Sequence, residues 1–254
     1  MLAKRIISCM DIKAGRVVKG VCFTNIKDAG NPLALAREYN KQGADEVSFL
    51  DIMASAESRD IFLGLVKQVS QELFIPFSVG GGIRTIDDVQ MVLAAGAEKV
   101  SIGSAAVKNP QLIKEASERF GSQAIVLSVD ARKNKDMPCG YELYIKGGRE
   151  ATGKDALTFA KKMVELGAGE ILLNAIDSDG TKNGYDLTIT QMFSENLGVP
   201  IIASGGAGSP KDILEVLTIG KADAALAASI FHYRKYTIND VKEYLKENGV
   251  VVRQ

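Results

Sequence analysis

Residues 75–106, IPFSVGGGIRTIDDVQMVLAAGAEKVSIGSAA, align without a gap on residues 199–230, VPIIASGGAGSPKDILEVLTIGKADAALAASI, 124 positions further along the chain. Each copy holds a proline, a short β-branched run, a Gly-Gly turn, a segment of helical period, and a second short run led by Lys99 or Asp223. At the same spacing Leu33, Gly43 and Glu46 fall on Leu157, Gly167 and Glu170. The spacing is about half of the 254 residues, so the chain reads as two copies of one unit. A half of this kind would leave open sheet edges, and closure of eight parallel strands removes them. The expectation is one α/β domain over residues 1–254, a (βα)8 TIM barrel built from two (βα)4 half-barrel repeats. A doubly wound open sheet is the competing architecture, and the internal symmetry favours the barrel.

Outward from the repeat, the same rhythm continues. The strand segments are RIISC, EVSFLD, PFSVG, KVSIG, AIVLSVD, EILLN, PIIAS and DAALAA. Eight helix-period segments separate and follow them, from PLALAREYNKQG to INDVKEYLKENG. Asn31 before Pro32 and Ser209 before Pro210 read as helix starts, a capping side chain followed by proline at the first helical position. Gly43, Gly96, Gly121, Gly167, Gly198 and Gly220 sit just past helix ends, where a left-handed C-cap favours glycine.

Composition narrows the function. Lys+Arg and Asp+Glu both number 31, and a net charge of zero argues against a general binder of nucleic acid or anionic membrane. Cys9, Cys22 and Cys139 are odd in number and form no C-x-x-C pair, which argues against a disulfide framework or zinc site and fits the cytoplasm. The opening MLAKRIISCMDIK is charged too early for a signal peptide, and no apolar run approaches the ~20 residues of a membrane span. His232 is the only histidine, so a histidine-centred triad or multi-histidine metal site is set aside and acid–base chemistry falls to carboxylates. No cofactor and no metal are expected.

A (βα)8 barrel builds its active site at the C-terminal ends of its strands. Gly80-Gly81-Gly82 closes the third strand and Ser204-Gly205-Gly206-Ala207-Gly208 the seventh; one strand later stand Gly103-Ser104-Ala105 and Ala227-Ala228-Ser229. Glycine lets backbone approach an anion, and a following helix N-terminus supplies free N–H groups. Two symmetric copies point to a small-molecule substrate with two phosphates. One would be held by Gly81, Gly82, Gly103 and Ser104, the other by Ser204, Gly205, Gly206, Ala228 and Ser229. Plain tight turns are the alternative.

Asp11 ends the first strand and Asp130 the fifth, opposite each other in the barrel and between the two phosphate grips. A lone carboxylate there is an ordinary loop hydrogen-bonder, but as a symmetric pair they are the candidate acid and base. The segment after Asp11 is a long loop of the kind that forms lids, and its Lys19 either meets a phosphate or is a plain solvated lysine. Asp177–Asp186 resembles part of a calcium loop but lacks the distal glutamate; it reads as an ordered turn whose Asp179 and Gly180 face the second phosphate. His232 reads as a structural hydrogen-bonder. At the opposite face Arg5, Glu46, Lys99 and Glu170 all stand at strand starts, which composition alone reads as a paired salt-bridge plug, with a gated inlet to the barrel axis as the functional alternative.

The segments CMDIKAGRVVKG, FLDIMAS, SVGGGIR, FGSQAIVLSVDAR, GAGEILL, DSDGTKNGYD, IIASGGAG and ADAALAASIFH together resemble the cyclase subunits of imidazole glycerol phosphate synthase over nearly the whole chain. That resemblance implies a lyase of histidine biosynthesis working in the cytoplasm as a heterodimer. A glutaminase subunit at the N-terminal face supplies ammonia; the substrate is a bisphosphorylated ribulosyl-formimino-aminoimidazole carboxamide ribotide (PRFAR). The products are imidazole glycerol phosphate and an aminoimidazole ribotide (AICAR). It implies that Asp11 and Asp130 are the acid–base pair, and that Arg5, Glu46, Lys99 and Glu170 form the ammonia gate rather than a plug. The sister aldose isomerase shares the barrel and both aspartates, but GRVVKG, FGSQ, DGTKNGYD and AASIFH are cyclase features.

The chain departs from the family pattern near the mouth. Gly103-Ser104 stands where Asn-Thr or Asn-Ser is usual, and Asn174-Ala175 where Thr-Ser is usual. Ala14, Met53 and Ser178 replace the usual Asp, Thr and Arg. Each lost hydrogen bond to substrate would cost about 1–3 kcal/mol. These departures leave open a diverged paralogue that delivers ammonia for nucleotide-sugar amidination in surface polysaccharide synthesis.

Overall fold

The computed structural model describes residues 2–13, 15–21, 24–52 and 63–253, with the backbone alone for 19–21 and 24–27. Ala14, Met53 and the side chain of Lys19 therefore lie outside the described residues. In chain order the strands are β1 (Arg5–Lys13), β2 (Arg16–Val21), β3 (Thr24–Gly30), β4 (Glu46–Asp51), β5 (Phe77–Gly80) and β6 (Lys99–Ile102). There follow β7 (Ile125–Lys133), β8 (Tyr141–Ile145), β9 (Glu150–Asp155), β10 (Glu170–Ala175), β11 (Ile201–Ser204) and β12 (Ala224–Ala227). Eight of them, β1-β4-β5-β6-β7-β10-β11-β12, form a ring of parallel neighbours that closes β12 onto β1. This is the (βα)8 barrel, and its eight strands are the eight apolar runs of the sequence.

Four strands were not anticipated. β2–β3 and β8–β9 are antiparallel hairpins that follow β1 and β7, so the segment after Asp11 is a paired ribbon rather than an irregular loop. The reason is strand length. β1 and β7 each run nine residues, about twice the four of β5, β6, β11 and β12, and so overrun the barrel rim. On the side of β12 the parallel pairing of β1 ends at Ser8, and on the side of β6 that of β7 ends at Leu127; beyond those points a returning strand takes the open edge. The two hairpins occupy equivalent places in the two halves.

Period-two alternation divides the apolar residues into two cores. Side chains facing outward pack under the helices, including Ile6, Met10, Val47, Val79, Val100, Leu127, Ile171 and Ala225. A separate cluster fills the barrel itself: Ile7, Cys9, Val126, Leu172, Ile202, Ala224 and Leu226. The opposite interior wall is polar and buried, with Ser48, Ser78 and Ser101 on β4, β5 and β6.

The helices start where the caps predict. Asn31 and Ser209 accept from the backbone N–H of Ala34 and Asp212, each ahead of a proline. Gly43, Gly96, Gly121 and Gly167 have positive φ, as C-capping requires. Gly198 and Gly220 do not. Leu197 already leaves its helix as an extended residue (φ −117°, ψ 134°), and Gly220 is needed for space, since a Cβ there would lie 2.7 Å from the Val216 carbonyl oxygen. Among the described residues no helix is long and apolar enough to cross a membrane.

Candidate active site

The two glycine turns are built alike. Gly81 and Gly205, 124 residues apart, have φ of +90° and +92°. A Cβ on Gly81 would lie 2.2 Å from the carbonyl oxygen of Asp51, and one on Gly205 would lie 2.9 Å from that of Ala175, the repeat equivalent. Each turn is thus pressed against the end of the preceding barrel strand, a place only glycine can occupy. Gly206 is tighter still: its Cβ would meet the Gly184 carbonyl oxygen at 2.0 Å. Gly206→Ala is expected to cost about 2–3 kcal/mol in urea unfolding, through clash and left-handed strain. Gly198→Ala, where a Cβ meets nothing within 4 Å, should stay within about 0.5 kcal/mol of the parent. Equal effects would show that the turn tolerates a side chain.

Two cavities open at the C-terminal mouth. One is lined by Asp11, Asp130, Asn174, Asp179, Gly180 and the Ser204–Ala207 turn, together with Ala228 and Ser229. The other, about 370 Å³, is lined by Gly81, Gly82, Gly103, Ser104, Lys146 and again Asp130. Every residue expected at the two phosphate grips falls in its own cavity, and Asp130 with Ser128 and Leu50 borders both. Lys19 contributes to β2 by its backbone. Asp177 turns away from the mouth and accepts from the Lys133 backbone N–H at 2.9 Å. His232 is a hydrogen-bonder, its Nδ1 paired with the Tyr39 hydroxyl.

The two aspartates have different surroundings. Asp11 is buried, with the Cys9 thiol 3.8 Å from one carboxylate oxygen. Asp130 is pushed up to about 6, chiefly by burial, with the nearby charge of Asp179 adding to it; the Asn174 amide and the Gly148 N–H act in the other direction. A carboxyl raised in the folded state stabilises the fold below its unfolded value, near pH 4, and loses that contribution as pH rises through about 6. Asp130→Asn should therefore gain about 1–3 kcal/mol of stability at pH 8 and nothing at pH 3.5, read by urea unfolding at both. A gain equal at both values would dissociate the effect from this titration.

Sequence reading missed the hairpin tip. Lys146, Gly147 and Gly148, between β8 and β9, are consecutive left-handed residues with φ of 55°, 66° and 76°. The curl carries the Lys146 N–H to the Ser104 hydroxyl at 2.9 Å and brings Gly148 to Asp130. The run KGG was the available signal, but its partner lies 42 residues away in sequence.

At the opposite end the four strand-start charges form a closed ring. Arg5 bridges Glu46 at 3.3 Å and also pairs with Glu170; Lys99 bridges Glu46 at 2.8 Å and Glu170 at 2.7 Å. The two glutamates are repeat equivalents and are only 2% and 5% exposed. Burial alone would lower Arg5, but Glu170 and Glu46 outweigh it and its pKa rises; burial raises Glu46 against the pull of Lys99. Lys99 has no basic counterpart, because its repeat position holds Asp223, which caps the Ile201 N–H at 3.0 Å instead.

Comparison with known proteins agrees with this geometry. Residues 5–237 match the family model described as histidine biosynthesis protein. The imidazole glycerol phosphate synthase subunit HisF of Methanocaldococcus jannaschii is 53% identical over 270 aligned positions, covering all of this chain and 99% of the relative. The subunit of the same name from Methanococcus maripaludis strain S2 is 53% identical, and that of strain C5 52%, both across the full length of each chain. None of these relatives supports the nucleotide-sugar alternative. The chain belongs to the histidine biosynthesis family, among the HisF cyclase subunits of imidazole glycerol phosphate synthase.

Proposed function

We propose that this chain is the ammonia-dependent lyase that converts PRFAR to imidazole glycerol phosphate and AICAR, with Asp11 and Asp130 as its acid–base pair. The observation that carries the reading is their position on β1 and β7 at the barrel mouth, both bordering the cavity of the Ser204–Ala207 turn, with Asp130 also bordering that of the Gly81 turn. Adding ammonia to a carbonyl needs a proton lost from nitrogen and one gained by oxygen, and expelling an amine needs another proton. Asp130, pushed up to about 6, is able to donate near neutrality. In this reading Gly81, Gly82, Gly103 and Ser104 hold one substrate phosphate. Asp179, Gly180, Ser204, Gly205, Gly206, Ala228 and Ser229 surround the other.

Ammonia would come from a glutaminase docked at the N-terminal face, through the ring of Arg5, Glu46, Lys99 and Glu170. Support for that route is the polar wall of Ser48, Ser78 and Ser101 above the ring, facing apolar Val126, Leu172 and Ile202. A reaction of this kind belongs in the cytoplasm, in keeping with Cys9 and Cys139 standing as thiols outside any disulfide. The test is direct: purified protein given an ammonium salt and PRFAR should release AICAR without any glutaminase. A folded protein that turns over nothing under those conditions overturns the proposal.

A further inference from the structure

Asn174 stands at a departure from the family pattern, and its surroundings are specific. It lies on β10 directly beside Asp130 of β7 in the parallel register. Its Nδ2 donates to Asp130 Oδ1 at 3.0 Å, and its Oδ1 accepts from the Ser204 hydroxyl at 3.4 Å. The same Oδ1 abuts the second glycine turn, since a Cβ on Gly205 would lie 3.0 Å from it. The side chain is buried, only 8% exposed, at the wall of the cavity that Asp11 and Asp130 share.

We propose that Asn174 is a positioning residue for Asp130: its NH2 group faces the carboxylate and orients it toward the cavity, while its oxygen is tied to Ser204. An amide has one donating and one accepting end, and a flipped amide would set two oxygens against each other. The ionised carboxylate, which can only accept, selects the NH2 end, and the Ser204 hydroxyl, able to donate or accept, completes the arrangement by donating to Oδ1. The β10 side chain thereby ties the reacting carboxyl to the first residue of the second glycine turn. A Thr at this position has a single oxygen to serve both neighbours; Asn has two separate atoms.

The donor also sets how readily Asp130 holds its proton. The other titratable groups that share its cavities are Cys9 and Asp11 on β1, Asp179 after β10, Asp51 ending β4, and Lys146 at the hairpin tip, with Arg84 and Lys108 beyond. The charge of Asp179 among them favours the protonated form, and the Asn174 NH2 stands against it on the β10 side.

The inference rests on Asp130 being a reacting carboxyl, and its test separates the two. Protein labelled with 13C at aspartate carboxyls is titrated by NMR, with Asp130→Asn used to identify the signal. Asn174→Leu removes the donor at equal size and should raise the Asp130 midpoint by about one pH unit. The alkaline limb of ammonia-dependent turnover should move the same way. If Asn174→Leu does not fold, Asn174→Val also lacks the donor, adds no charge and should give the same upward shift. A folded variant whose Asp130 midpoint stays within about 0.2 units of the parent overturns the role of Asn174. Absent turnover in the parent would overturn the cyclase reading, and the carboxyl titration would still decide Asn174.

Discussion

Asp130→Asn and Asp11→Asn are each expected to lower ammonia-dependent turnover of PRFAR by about 100- to 10,000-fold, the range general acid–base catalysis contributes. Asparagine keeps the size of the side chain and its capacity to accept, so the loss is of proton transfer rather than of shape. For Asp130 the expectation is sharper. Its carboxyl is pushed up to about 6 by burial, so removing it relieves the folded state at pH 8 while disabling the reaction. Loss of activity should therefore coincide with a gain of stability. KM should change little, because the proposed phosphate grips are left untouched. A variant at either position that keeps more than a tenth of parental turnover would remove that residue from the acid–base pair.

Glu170→Leu is expected to destabilise the protein by about 3–5 kcal/mol, because it leaves Arg5 and Lys99 at the barrel floor with Glu46 as the remaining partner. Two cations facing one buried carboxylate is the costly arrangement. The double variant Glu170→Leu with Lys99→Met leaves the Arg5–Glu46 pair intact and should lose much less than the sum of the two single changes. Urea unfolding at pH 7 of the parent, both singles and the double gives the coupling directly. A Glu170→Leu loss under 1 kcal/mol would mean that the ring is solvated enough to be stabilised by water. The same variants, assayed with added ammonium salt and then with a glutaminase, separate the stability of the floor from passage through it.

How much of this was legible varies with how local the cause is. The eight barrel strands could be read because a strand covered on both faces is a short apolar run, whatever its neighbours. The glycine turns could be read because φ near +90° at Gly81 and Gly205 is a property of the residue type. The hairpin strand EATGKD could not, because its residues are polar and largely exposed and it is a strand only through its partner β8. The floor charges were visible at strand starts, but their closure into a ring depends on which strands become neighbours. Asn174 was visible only as an unusual residue; its function as a donor appears when register sets it beside Asp130.

The eight barrel strands, the two-fold repeat and the two glycine turns were determined by the sequence alone, and the proposal of carboxylates over a single histidine rests on it too. Each follows from periodicity, residue type or composition, which act over a few residues or are counted over the whole chain. The tertiary structure decided what those pieces do to one another. It raised the carboxyl of Asp130, joined Arg5, Glu46, Lys99 and Glu170 into one network, and brought a hairpin tip and an asparagine onto that same carboxyl. The reason is that electrostatics and hydrogen bonds depend on distance in space. Barrel closure sets those distances between residues as far apart in sequence as Arg5 and Glu170.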